Sequence, residues 1–434
     1  MLVVTKFGGS SLSSATQFQK VKNIVESDAK RKIVVVSALG KRTSDDTKIT
    51  DLLYILHAHL KYSVPYNDIW DMIFSRYVEI KEKLNIDYDI EQDLTDLYAE
   101  LNKNISKDYL VSRGEYLTAK LMSAYLGYAF VDAKDVLIFD YNSVLNEEKT
   151  MELVKEAFEK HGTIVVPGFY GGFPNGDIHL LSRGGSDVTG SILAKCLQVS
   201  LYENWTDVSG VLAADPRIIE NPKSIKEITY SELRELSYMG FNVLHEETIF
   251  PVRSLNIPIN LKNTNNPLHP GTLIKNDCTD EEELITGIAG KKDFISFDIT
   301  KNHMDNEIGF LRKALSIFEK YNVSIDHIPS GIDSFSVICS RNNVNKYKYE
   351  IITDLKNELQ ADVIVDEDLA LVAIVGRNMH NKSGVCGNIF STLGALGINV
   401  KIIAQGPSEL SIIIGVETKD YDRALKSLYS KLIG

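Results

Sequence analysis

The apolar positions of the chain follow more than one pattern. Lys32-Ile33-Val34-Val35-Val36 and Thr163-Ile164-Val165-Val166-Pro167 are short continuous apolar runs that end in small residues, Ser37-Ala38 and Gly168. Continuous rather than alternating apolarity is the pattern of strands buried on both faces, as in a parallel α/β sheet. Leu2 to Thr5 opens the chain in the same way and stops at Lys6-Phe7-Gly8-Gly9-Ser10-Ser11, with a helix expected from about Ala15. Residues 66–110 carry spaced apolar positions among many charges, which predicts a helical subdomain over about 50–110.

The last third holds an internal repeat. A strand-like run, Phe294-Ile295-Ser296-Phe297-Asp298-Ile299, precedes a helix expected near Gly309, and Val323-Ser324-Ile325-Asp326-His327-Ile328 reads as the next strand. An offset of 75 residues maps Gly309 onto Gly384, Val323 onto Ile398, Ile328 onto Ile403, Gly331 onto Gly406 and Ser336 onto Ser411. Each copy reads strand, helix, strand, strand, helix, so two similar α+β modules are expected. Only the first copy has a closing strand of its own, Asp362 to Asp366. Leu284 to Ala289 is apolar enough to complete the second, and is equally readable as a plain linker strand.

At 434 residues more than one domain is expected. A net charge of −12 argues against a nucleic-acid binder. No apolar run approaches membrane-spanning length, and the opening run does not read as a signal peptide. Cys196, Cys278, Cys339 and Cys386 form no CxxC pair, so neither a zinc site nor a disulfide framework is indicated and a reducing cytoplasm is expected.

A glycine pair after a strand lets backbone N–H groups approach an anion, and a helix behind it adds its positive end. Alone, Lys6 with Gly8 and Gly9 is equally a tight turn with a solvated lysine. The P-loop signature and the GxGxxG fingerprint are both absent. Three further stretches bear on the choice. Ser182-Arg183-Gly184-Gly185-Ser186-Asp187 precedes a helix expected near Val188, Trp205-Thr206-Asp207-Val208 ends a strand ahead of Ala214-Asp215-Pro216-Arg217, and Arg113-Gly114-Glu115 opens an apolar helix.

Together with Ser37-Ala38, Gly168-Phe169 and Pro270-Gly271-Thr272-Leu273-Ile274, these stretches resemble the aspartate kinase family over essentially the whole chain. The resemblance implies an α/β amino acid kinase domain over 1–283, a first ferredoxin-like ACT module over 293–366, and a second from 284–290 with 367–434. It implies phosphoryl transfer from MgATP to the side-chain carboxylate of L-aspartate, the entry to lysine, threonine and methionine synthesis. Lys6 would meet the transferring group with Asp187 holding it, and Gly8, Gly9, Ser10, Thr206, Asp207 and Arg217 would bind nucleotide. Glu115 would take the α-amino group of aspartate and Arg183 its α-carboxylate, with Ser37, Ala38, Thr43, Phe169 and Ser186 completing that pocket. No metal ligands among the side chains are implied.

The ACT modules imply feedback control and pairing into a homodimer or a dimer of dimers. Met304, Gly309, Phe310, Leu311, Ser324, Ile325, Asp326 and Ser330 match the lysine-sensitive branch. The chain departs from the family at Asn242, where a lysine commonly reaches the ATP phosphates, at Leu212, where an aromatic residue often flanks the adenosine, and at Glu307, where a small hydroxyl residue is frequent. Two alternatives stay open: another amino acid kinase, acting on glutamate or a nucleoside monophosphate, and a non-catalytic amino-acid sensor on this fold.

Overall fold

A computed structural model describes residues 1–182, 184–241, 244, 246–278, 284–379 and 382–434. They fall into two compact units. One comprises Met1–Val211, Lys226–Tyr230 and Val243–Cys278, the other Leu212–Ile225, Ser231–Asn242 and Thr279–Gly434. Segments 212–225 and 231–242 therefore group with the second unit, whereas the sequence reading puts all of 1–283 in one domain.

The first unit is built on β1 (Val3–Phe7), β2 (Arg31–Val36), β3 (Ala129–Phe130), β4 (Ile164–Pro167), β5 (Tyr170–Gly172), β6 (Ile178–Leu180), β7 (Leu201–Thr206), β8 (Glu227–Thr229), β9 (Ile259–Asn263) and β10 (Thr272–Lys275). Eight of these form one sheet in the order β3-β4-β2-β1-β7-β9-β10-β8, with β5 and β6 a separate pair. Every neighbouring pair in the large sheet is parallel except β9 with β10. The burial of β1 and of Ile33 to Val36 on both faces explains their continuous apolar runs.

Its helices are α1 (Ala15–Glu26), α2 (Ile49–Lys61), α3 (Asn67–Leu84), α4 (Ile90–Glu100), α5 (Lys107–Leu126), α6 (Ala133–Val136), α7 (Glu147–His161) and α8 (Gly185–Cys196), then α9 (Tyr230–Tyr238), mostly in the second unit, and α10 (Glu246–Arg253). Helices α2 to α5 run in succession from Ile49 to Leu126, a longer span than the 50–110 expected to be helical. The Ser106 side chain caps α5 by accepting from Tyr109 N, and Gly127 ends it in the left-handed region. Glu115 thus lies inside α5 rather than at its start: the hydroxyl at Ser106, not the Arg-Gly-Glu stretch, supplies the cap. Helix α8 begins at Gly185, a turn earlier than expected.

The second unit carries β11 (Gly287–Thr300), β12 (Ser334–Ser340), β13 (Asp362–Val375), β14 (Ile402–Gln405) and β15 (Ser411–Val416) in one antiparallel sheet ordered β12-β11-β13-β15-β14. Two 14-residue strands are shared by the repeats. In one half, Phe294–Thr300 lies between β12 and Asp362–Asp366. In the other, Leu371–Val375 lies between Gly287–Lys291 and β15. Helices α11 (Phe310–Lys320), α12 (Arg341–Val344), α13 (Lys348–Leu359), α14 (Val385–Ala395) and α15 (Tyr421–Leu432) complete the unit. The mapped pair Gly309 and Gly384 both sit in the left-handed region immediately before a helix, at φ 75° and 89°, a conformation that favours glycine.

The strand expected over 323–328 does not form as a continuous element. It is an outer segment whose ladder is reduced to Asp326 and His327 against Ile338. Among the described residues no helix is long and apolar enough to cross a membrane, and the four cysteines form no disulfide.

Candidate active site

In an open parallel sheet the carboxyl ends of the strands, where the chain order reverses, form the natural crevice for ligands. Here β1 is that point, with β2 on one side and β7 on the other. Four stretches singled out in the sequence stand at these carboxyl ends: Lys6 to Ser10 across the end of β1, Ser37-Ala38 after β2, Gly168-Phe169 after β4, and Thr206-Asp207 at the end of β7.

Backbone contacts at the β1 and β2 ends explain their glycines. A Cβ at Gly40 would stand 2.4 Å from the backbone of Gly9, and one at Gly9 would stand 2.9 Å from Ala38 O. Gly40 N also donates to Gly9 O at 2.9 Å. The two loops touch backbone to backbone, which no side chain would allow. Gly168 plays the same part toward Ser186, whose Cβ a new methyl would meet at 2.5 Å. The Ser37 and Ser186 hydroxyls are 2.7 Å apart, so α8 is tied to the end of β2. Phe169 holds a left-handed φ of 75°, a costly conformation for a non-glycine that clusters at functional sites.

A cleft of about 1190 Å³ opens over these ends. Of the sequence-predicted residues it is lined by Gly9, Ser10, Ser37, Ala38, Thr43, Glu115, Phe169, Ser186 and Asp207. Lys6, buried at the neighbouring strand end, and Asp187, half-buried in the first turn of α8, form an ion pair. The Thr206 hydroxyl serves its own turn, accepting from Val208 N at 3.1 Å. Arg217 belongs to the second unit, where it is forked onto Asp215 with its side chain 84% exposed. Leu212 also lies in that unit, bridged to Ser224. Arg183 and Asn242 fall outside the described residues.

Glu115 is the electrostatic outlier. It is 4% exposed and lines the cleft, and its Oε2 has no hydrogen-bond partner among the described residues. Burial pushes its carboxyl up to about 8, against smaller opposing contributions from the Ala38 backbone and the Lys6 charge. Close packing puts it there. A Cβ at Gly114 would be 2.9 Å from that of Ala38, so α5 approaches the end of β2 at its one residue without a side chain.

The cleft also has a basic wall that sequence reasoning missed: Lys41, Arg42 and Lys48, with Asp51 and Tyr54. Cations after Gly40 at a strand end repeat the Lys6 pattern, which was the available signal. This loop is clasped by Arg76 of α3, buried at 3% exposed, which donates to Thr47 O at 2.8 Å and to Gly40 O and lies 3.6 Å from Asp46. Arg42 forks onto Asp46, holding that carboxyl well below the usual carboxylate range.

In the second unit, Met304 starts a short helical turn, and Gly309, Phe310 and Leu311 open α11. Ser324 and Ile325 line a shallow depression at the end of that helix, and Ser330 bridges to Phe335. Asp326 accepts from Ser340 N at 3.0 Å and from the Tyr238 hydroxyl. Glu307 is neutralised by Lys301 and Lys313 at 2.6 and 2.8 Å.

The amino acid kinase family model matches residues 1–263, and an ACT domain model matches 372–432. Aspartokinase 3 of Bacillus subtilis is 38% identical over 448 residues, covering 99% of this chain and 98% of that one. The solved aspartate kinase of Clostridium acetobutylicum matches with a TM-score of 0.92 at 49% identity, covering 99% of each chain. Aspartokinase III of Escherichia coli, solved with aspartate and ADP and also with lysine and aspartate, matches at 0.77 with 26% identity over 100% of both chains. On its sequence along the whole length and on its fold, the chain belongs to the amino acid kinase family, among its aspartokinases.

Proposed function

We propose that the chain transfers the γ-phosphoryl group of ATP to the side-chain carboxylate of L-aspartate, giving 4-phospho-L-aspartate, under feedback control through its ACT modules. The observation that carries this is Glu115, a buried carboxylate whose Oε2 has no hydrogen-bond partner among the described residues, facing a cleft whose other walls present cations and backbone donors. An isolated buried carboxylate is costly unless a cation joins it, and the α-ammonium of an amino acid is such a cation. Arg183 is assigned the α-carboxylate, for which a guanidinium fork is suited. Ser37, Ala38, Thr43, Phe169 and Ser186 shape the rest of the pocket.

The transferred group spreads its charge over three oxygens, so catalysis is mainly positioning and electrostatic stabilisation. Lys6 meets that charge, Asp187 orients Lys6, and Gly8, Gly9 and Ser10 offer donors from the β1 end. The acceptor is already an anion, so no side-chain base is required. Thr206, Asp207 and Arg217 are assigned to the nucleotide. Magnesium would be carried by the ATP phosphates rather than by side chains of the chain, and would supply charge neutralisation there.

The regulatory reading is that lysine binds the ACT region at Met304, Gly309, Phe310, Leu311, Ser324, Ile325, Asp326 and Ser330, and that the chain acts as a homodimer or dimer of dimers in the cytoplasm. Full-length likeness to aspartokinases does not favour a glutamate or nucleoside monophosphate kinase or a non-catalytic sensor. The test is ATP turnover with aspartate, with glutamate and with no acceptor, trapping acyl phosphate with hydroxylamine. A hydroxamate formed from aspartate alone supports the reading, and one formed from glutamate, or none, overturns it.

A further inference from the structure

We propose that Asn204 is a positioning residue for the phosphoryl transfer, regulating how tightly Asp187 grips Lys6. Asn204 is 2% exposed in the middle of β7, flanked in sequence by Glu203 and the buried Trp205. A buried amide is costly unless bonded, and its NH2 group donates to Asp187 Oδ1 at 2.9 Å. That same oxygen pairs with the Lys6 ammonium. In the parallel register Lys6 stands directly opposite Asn204, so ammonium and amide converge on one carboxylate oxygen from neighbouring strands.

Residues two apart on a strand share a face. Tyr202 and Asn204 both reach the first turn of α8, the former donating its hydroxyl to Asp187 O at 3.0 Å. One strand thus fixes Asp187 by backbone and by side chain. A carboxylate oxygen shared with a neutral donor holds an ammonium less exclusively, which leaves Lys6 donors for the phosphoryl oxygens. Without the amide, the whole negative charge of that oxygen falls to Lys6, and the transition state loses part of its cation. The titratable groups that face Asn204 are Lys6 from β1, Asp187 from α8 and Tyr202 from its own strand, while β9 sets Leu261 in register.

This rests on Lys6 meeting the transferring group, so Lys6→Ala is run in parallel. Asn204→Leu keeps the volume and deletes the donor. Its kcat is expected to fall roughly tenfold or more, as when a supporting hydrogen bond behind a functional group is lost, with both KM values little changed. Asn204→Asp discriminates between positioning and packing. When protonated, the introduced carboxyl donates an O–H as the amide does. When ionised, it opposes Asp187 and binds Lys6 itself. Its kcat relative to wild type is expected to approach one at acid pH and to fall as pH rises across about 6 to 9. A kcat for Asn204→Leu within twofold of wild type, or a flat ratio for Asn204→Asp across that range, overturns the proposal. A fully active Lys6→Ala sinks the role of Lys6 instead.

Discussion

Glu115→Gln should make the protein more stable while disabling it. The wild-type carboxyl, pushed up to about 8 by burial, keeps its proton at pH values where the unfolded chain, near 4.5, has released it. Between those two values the folded state binds more protons than the unfolded one, so stability falls as pH rises. The loss begins near the unfolded value and is complete above the folded one. At pH 7 the unfolded chain is favoured by some 2.5 pH units of ionisation, about 3 kcal/mol at roughly 1.4 kcal/mol per unit. Glutamine carries no such penalty and occupies the same space. Urea melts read on the transition that aspartate shifts should therefore show the variant about 3 kcal/mol more stable at pH 7 and no different near pH 4. Aspartate binding moves the opposite way. To receive the ammonium Glu115 must lose its proton, so the wild-type aspartate KM should fall about tenfold per unit as pH rises toward 8 and flatten above it. The variant should show a flat profile, with KM raised roughly a hundredfold by loss of a buried charged partner. A variant no more stable than wild type at pH 7, or equally stabilised at pH 5 and 8, would refute the assignment of a buried, ligand-seeking carboxylate.

Lys6→Ala should lower kcat by about 10²–10³, the usual cost of one charge-stabilising donor, with aspartate KM little moved; steady-state kinetics near wild type would remove Lys6 from the transition state. Arg76→Met should cost about 2–4 kcal/mol, because it strips the clasp from Gly40, Thr47 and Asp46, and should raise the aspartate KM through Thr43; a melting point within a degree of the parent would show the loop holds itself. Asp326→Ala should relieve lysine inhibition while leaving uninhibited kcat nearly unchanged, read by lysine and threonine titrations in parallel. Equal lysine sensitivity in both proteins would take Asp326 out of the effector site, and inhibition by threonine alone would replace lysine.

Much of the architecture was legible because it is written in local periodicity. Apolar runs ending in small residues marked β1, β2 and β4, and burial on both faces follows from a parallel sheet covered by helices. The repeat was legible because each copy needs a glycine in the left-handed region before its helix, at Gly309 and Gly384. The residues that line the cleft could be named because glycines, hydroxyls and charges at strand ends have few purely structural uses in such company.

Other features depend on neighbours remote in sequence, so only tertiary structure decided them. Glu115 reads locally as a helix-opening acid. Its unusual proton affinity arises because Gly114 lets α5 close on Ala38, 76 residues upstream, and shuts out water. The basic wall took shape only when Arg76 from a different helix clasped the loop after β2. Residues 323–328 have the composition of a strand, but their place at the edge of the sheet leaves them only a fragment of a ladder. Nothing in the residues next to Asn204 points to Lys6. Its opposition to Lys6 is a matter of register between β1 and β7, and register across nearly two hundred residues is set by how the sheet assembles rather than by any local signal.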